Sequence, residues 1–229
     1  MKGFIAAVAG LLATSLAAWA QVAPTPAELE AYAGVHAAVA GGSTSEVERA
    51  VRAGADVDAR DPFGRTPLMI AAHRRDIAIA RALIELGANV NALDHQSYDA
   101  LTIAAVHDDV EILRLLLSSG GNAGAIVSPF GSTALIAAAR RGNAAAVEAL
   151  IDARAPIEHV DYLGGSALLD AVAHATDDQR YVITVKTLVN AGADLTRTNR
   201  EGKTPLAVAK AKGLPAIATV LEARPSTGQ

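Results

Sequence analysis

The sequence contains no cysteine. Disulfide frameworks, cysteine-ligated zinc sites and thiol catalysis are excluded together, and a chain without thiols suits an oxidising compartment. Aromatic side chains are scarce, at 3% of 229 residues, whereas sheet-rich folds lean on aromatic and β-branched packing. An excess of positive charge is missing as well. The formal net charge is −4, which argues against a general nucleic-acid binder with its basic footprint. No phosphate-cradling glycine loop, nucleophile elbow, nucleotide fingerprint or HExxH pair is present. No enzymatic activity, cofactor or metal site is therefore expected. The histidines His36, His73, His95, His107, His159 and His174 are scattered without close ligand spacing and read as surface or helix-end residues.

What the chain does have is alanine. Hydrophobic residues make up 51% of it, and alanine and leucine favour closely packed helices, so an all-α fold leads. The first twenty residues stand apart. Lys2 precedes an apolar run from Phe4 to Ala13, and Ala18-Trp19-Ala20 supplies the small-x-small pattern of a cleaved signal peptide, with cleavage expected before Gln21. Residues 21–27 form a proline-containing lead. Once the signal is removed, no stable membrane insertion is expected, and the expected location is periplasmic or secreted.

The remainder repeats. Gly54-Ala-Asp, Gly87-Ala-Asn, Gly120-Gly-Asn and Gly192-Ala-Asp recur, the first three glycines at a spacing of 33. A second series, Gly64, Ser97, Gly131, Gly164 and Gly202, follows at spacings of 33, 34, 33 and 38. Between the two series the pattern is helical. Thr66-Pro67-Leu68 opens a helix, because threonine caps it and proline lacks the N–H that would be unpaired at that position. Gly87 suits the left-handed residue that ends one. The units read 28–60, 61–93, 94–126, 128–160, 161–198 and 199–224, with Val127 as a one-residue insertion and residues 225–229 as a tail. Each is a helix, a turn, a second helix and a tight extended loop. Thr25-Pro26-Ala27-Glu28 predicts a capping box on a longer opening helix. Asp99, Thr133, Ser166 and Thr204 share the capping position of Thr66. Arg154 stands where a terminating glycine belongs, at a cost of about 1 kcal/mol, and unit five carries about five extra residues near Thr176 to Arg180. Units four and five are accordingly expected to open first.

The 33-residue period and the Thr-Pro-Leu openings at Thr66 and Thr204 resemble the ankyrin repeat. The resemblance implies a solenoid of about six helix-turn-helix units with extended loop tips. It also implies a concave binding surface at unit positions 2, 3, 5, 13 and 14. The family's motif histidine is kept only as His36; Met69, Thr102, Ile136, Leu169 and Ala207 replace it.

Five of the six aromatics beyond the signal, Tyr32, Phe63, Tyr98, Phe130 and Tyr162, fall at positions 2, 3 or 5 of their units; Tyr181 does not. Such residues either anchor a partner or brace the stack of loops. Arg65 accompanies them. Charged pairs follow the first helices: Arg74-Arg75, Asp108-Asp109 after His107, and Arg140-Arg141. These either steer a partner or form a solvated rim. The expected function is a monomeric exported adaptor that docks another exported protein, such as an envelope enzyme. The alternatives are an inhibitor or immunity protein against a toxin or secreted hydrolase, and a structural role in the cell envelope.

Overall fold

The computed structural model describes residues 23–223. The signal-peptide expectation for residues 1–20 and the tail at 225–229 lie outside them. Among the described residues there are thirteen helices and no strand. A short helix α1 (Pro26–Ala31) is followed by six helix pairs. These are α2 (Gly34–Gly41) with α3 (Thr44–Arg52), α4 (Pro67–Arg74) with α5 (Ile77–Glu85), and α6 (Ala100–Val106) with α7 (Val110–Ser118). Then come α8 (Ala134–Arg140) with α9 (Ala144–Asp152), α10 (Ala167–His174) with α11 (Gln179–Asn190), and α12 (Pro205–Ala211) with α13 (Pro215–Glu222). The first helices stack in one row and the second helices in another, each touching its sequential neighbours. No helix here is long and apolar enough to cross a membrane.

The caps explain where helices begin. Thr66, Asp99, Thr133, Ser166 and Thr204 each accept from the backbone N–H three residues on, at 2.7–3.4 Å, which pairs a donor that would otherwise be orphaned. Asp76 and Asp109 cap second helices in the same way. The capping box at Thr25 and Glu28 forms. The opening helix it starts is short, however: the backbone becomes extended at Tyr32 and Ala33 before α2 begins.

One apolar core runs from Val35 to Leu221 through every unit. Leu68, Ile79, Leu83, Ile112, Leu116, Leu135, Val147 and Leu150 are fully buried, each contributing roughly 1.5–3 kcal/mol. Alanine pairs such as Ala71-Ala72, Ala104-Ala105 and Ala138-Ala139 are buried in the row of first helices, and their small side chains let those helices approach closely.

The loops share one device. From the second unit on, the first side chain of each unit accepts from the N–H groups two and four residues on; Asp61 does so with Phe63 and Arg65, and Asp161 with Leu163 and Gly165. The fourth residue of these units is left-handed, and at Gly64 and Gly131 glycine has a second reason to be there. A Cβ at Gly64 would stand 2.5 Å from His95, and one at Gly131 would stand 2.7 Å from the Tyr162 ring. His95 and Tyr162, the second residues of their units, thus lie against the preceding loop. Arg154 takes the left-handed conformation, φ 62°, that Gly54, Gly87, Gly120 and Gly192 take in units one, two, three and five.

Of the extra residues of unit five, 176–178 lie in an irregular loop and 179–180 begin a helix. Helix α11 has 12 residues against nine in α5, α7 and α9. Its extended first turn lays Tyr181 back onto unit four, where the Tyr181 hydroxyl donates to the Arg140 carbonyl at 3.2 Å. Tyr181 is buried, which is why this aromatic left the loop-tip pattern.

Candidate functional site

A groove of about 1100 Å³ runs across the ends of α6, α8 and α10. Tyr98, Thr102 and His107 line it from unit three, Thr133, Arg140 and Arg141 from unit four, and Leu169, Asp170 and His174 from unit five. Arg180, Tyr181 and Ile183 of the lengthened α11 form a wall.

On the groove floor, Arg140 Nε donates to Asp170 Oδ2 at 2.9 Å, and Arg140 Nη2 also pairs with that carboxylate. Arg140 Nη2 lies 3.6 Å from Asp161 Oδ2, a buried oxygen with no hydrogen-bond partner among the described residues. Burial raises the Asp170 pKa despite the guanidinium beside it. Asp170 could have been noticed in the sequence, because it occupies the tenth position of its unit, where the others carry Ile70, Ile103, Ala137 and Val208.

A second histidine-rich contact joins units two and three. His107 Nε2 is 3.5 Å from His73 Nδ1, with the rings edge-on at 5.7 Å. Burial, helped by the charges of His107 and Arg65, lowers the His73 pKa to about 4. Burial and then Arg75 and Arg141 also lower that of His107. No group of three or more His, Asp or Glu among the described residues has metal-site geometry.

The residues read from the sequence as partner-binding divide into two sets. Phe63 and Tyr162 remain 52% and 66% exposed on the loop tips, and Arg74 is exposed at the end of α4. His107 and Arg140 line the groove, as does Tyr98, but Tyr98 is buried. Phe130 is half-buried, and its carbonyl accepts from the Tyr162 N–H at 2.8 Å. Arg65 and Tyr32 are held within the fold. Arg65, 3% exposed, donates from Nε to Asp61 Oδ2 at 2.7 Å, and the Tyr32 hydroxyl donates to the same oxygen at 2.8 Å. A buried guanidinium that neutralises a buried carboxylate is part of the scaffold, so Arg65 offers a partner little beyond its stacking, 4.6 Å from the Phe63 ring centroid. Nor are Asp108 and Asp109 a simple solvated rim: Asp108 Oδ1 accepts from Ala146 N at 3.0 Å, which caps the helix of the next unit. Asn143, freed from capping, donates to the Ala105 and Val106 carbonyls.

A family model described as ankyrin repeats matches residues 35–126 and 119–199. The crystal structure of the ankyrin repeat protein EF0377 is similar, with 31% identity, a TM-score of 0.77, and coverage of 83% of this chain and 96% of that one. An ankyrin repeat domain from Acinetobacter baumannii shows 34% identity, a TM-score of 0.76, and coverage of 82% and 95%. The ankyrin repeat domain of Bcl-3, a member of the IkappaB protein family, shows 29% identity, a TM-score of 0.71, and coverage of 82% and 80%. No curated protein matches the chain by sequence. Capped helix pairs at a 33-residue step, loops pinned by their first side chain, and these matches all lead to one statement: the chain belongs to the ankyrin-repeat family, whose fold generally mediates protein–protein interaction.

Proposed function

We propose that the chain is an exported adaptor that holds another exported protein against its loop tips and the groove behind them. One observation carries the docking half. Among the described residues, the exposed large hydrophobic ones are Phe63, Leu93, Ile126, Tyr162, Leu163 and Ile183. Five of them fall at the last, second or third position of a unit, on the loops, and Ile183 lines the groove wall. Apolar surface collected on one side of a protein marks an interaction site. The export half rests on the sequence from Met1 to Ala20.

Affinity capture from a periplasmic extract tests the proposal, with the full chain as bait beside a Phe63→Ala, Tyr162→Ala, Leu163→Ala variant. The expected result is one protein retained by the wild type and lost by a variant whose melting temperature is unchanged. Equal retention by both baits would overturn the loop-tip surface. An activity assay on the retained protein then separates an adaptor, which sustains activity, from an inhibitor, which suppresses it.

A further inference from the structure

The junction between units one and two is a template for the one between units three and four. At the first, the Tyr32 hydroxyl donates to Asp61 Oδ2 at 2.8 Å, Arg65 Nε donates to the same oxygen at 2.7 Å, and Arg65 Nη2 donates to the Tyr32 hydroxyl at 3.2 Å. In register, Tyr98 stands for Tyr32, Ser128 for Asp61 and Ser132 for Arg65. Half of the arrangement survives the exchange. Ser128 Oγ accepts from the Phe130 and Ser132 N–H groups at 3.2 and 2.9 Å, as Asp61 Oδ1 does from Phe63 and Arg65. A serine has one side-chain oxygen, so nothing in Ser128 stands for Asp61 Oδ2, and Ser132 brings no guanidinium.

Three hydroxyls surround what was removed. Tyr98, Ser128 and Ser132 are 5%, 7% and 5% exposed, and all three line the groove. Among the described residues, the Tyr98 hydroxyl and Ser132 Oγ have no hydrogen-bond partner, and the Ser128 hydroxyl donates to no acceptor. Side chains buried to this degree normally have their polar atoms paired. These oxygens are not sealed in: among the described residues, Asp161 Oδ2 is the one enclosed side-chain oxygen without a partner. The Tyr98 and Ser132 hydroxyls therefore open into the groove. Burial raises the Tyr98 pKa, Asp94 adds to the rise and Arg140 opposes it, so the hydroxyl keeps its proton as a donor. Asp94 itself is occupied, accepting from the Gln96 and Tyr98 N–H groups.

The unused capacity is thus for donation, it lies within reach of the Arg140 charge, and it surrounds the place where the sister junction holds a carboxylate oxygen. We infer that the gap between units three and four is a carboxylate site that takes an acidic side chain of the docked partner. One oxygen accepts from Tyr98, as Asp61 Oδ2 accepts from Tyr32, and the other accepts from the serine hydroxyls. The groove extends beyond the gap to His107, Leu163 and Ile183, so a partner segment can run on past it, which favours an internal acidic residue over a chain terminus. Charge-assisted hydrogen bonds are about twice as strong as neutral ones, which separates glutamate from glutamine. This inference rests on the docking reading above and deepens it.

The test uses the full chain and three short acetylated peptides at fixed ionic strength. One has a single internal glutamate and an amidated end, one has glutamine in its place, and one has glutamine and a free C-terminus. Binding is read from the amide resonances of Ser128 and Ser132. The glutamate peptide should shift them saturably and bind about tenfold more tightly than either glutamine peptide. Tyr98→Phe should weaken it about tenfold, the loss of one hydrogen bond to a charged group, with the melting temperature unchanged. Ser128→Asp with Ser132→Arg rebuilds the trio of the first junction; it should raise the melting temperature and abolish binding. No shift with the glutamate peptide, equal binding of its glutamine counterpart, preference for the free C-terminus, or undiminished binding in Tyr98→Phe or the rebuilt trio would each overturn the inference. A partner captured equally by the wild type and Tyr98→Phe, but lost by the loop-tip variant, would overturn it while leaving the docking reading intact.

Discussion

Two junctions in the array begin with the same residue and end differently. Between units one and two, Asp61 is closed in by its own unit's Arg65 and by Tyr32 from the unit before. Burial works against its ionisation, but the hydrogen bonds from Arg65 outweigh it, and the Asp61 pKa is lowered. Between units four and five, the positions of Tyr32 and Arg65 are taken by Ser132 and Gly165. The Asp161 Oδ2 is then approached, at 3.6 Å, by Arg140, which is shared with Asp170. A side chain at Gly165 would strike Asp170, since its Cβ would lie 2.5 Å from Oδ1. Losing the local arginine thus made room for a charged cluster between units, open to the groove. The repeat geometry is the same at both places. What differs is whether the second oxygen of the buried carboxylate meets an arginine of its own loop or one from across the interface.

The largest expected effect comes from removing that neighbour. Arg140→Ala leaves Asp161 and Asp170 buried together without a counter-charge and should destabilise the array by about 3–5 kcal/mol in urea unfolding. Arg65→Ala at the first junction should cost a similar amount. The two junctions separate in the rescue. Adding Asp170→Ile to Arg140→Ala restores the aliphatic residue seen at Ile70 and Ile103 and should recover part of the loss, because a buried ion pair is often replaceable by apolar packing while Asp161 stays buried. No such rescue exists for Arg65, because Asp61 also fastens its own loop. If the double variant is no more stable than the single, the groove cluster is part of the scaffold too.

A smaller effect contrasts these carboxylates with the histidine contact between units two and three. The His73 pKa is lowered to about 4 in the folded chain by burial, His107 and Arg65, against about 6.5 unfolded. The unfolded chain therefore binds the proton more readily. The stability this group contributes is complete above about pH 6.5 and is lost as pH falls toward 4. The loss should be on the order of 2–3 kcal/mol. Unfolding midpoints measured across that window should fall for the wild type and flatten for His73→Asn. An unchanged slope in the variant would place the acid sensitivity elsewhere. The smallest effect concerns the C-terminal turn of α9. Arg154→Gly should add about 1 kcal/mol and raise amide protection in units four and five, since Arg154 holds a left-handed φ of 62°.

The architecture was legible in the sequence because it depends on local rules repeated in phase. Thr66, Asp99, Thr133, Ser166 and Thr204 announce helix starts by their chemistry, and each makes the expected cap. Arg154 could be placed in a left-handed turn from its neighbours in register alone. The clustering of aromatics at the loops was legible too, although position alone could not show that Phe63 and Tyr162 stay exposed while Tyr98 is buried. Nor could position show that unit five lengthens its second helix and brings Tyr181 into the groove wall.

What the sequence determined by itself was the unit: its period, its caps, its turns and its alanine-rich core, each fixed by forces acting within a few residues. What only the tertiary structure decided was how the units share their charges. Arg140 meets Asp170 and Asp161 across a unit boundary, Asp108 caps a helix in the next unit, and Arg65 turns inward to Asp61 instead of outward. A charged side chain takes whichever partner stacking brings within hydrogen-bond reach, and that distance is set by the packing of neighbouring helices, not by the spacing of residues along the chain.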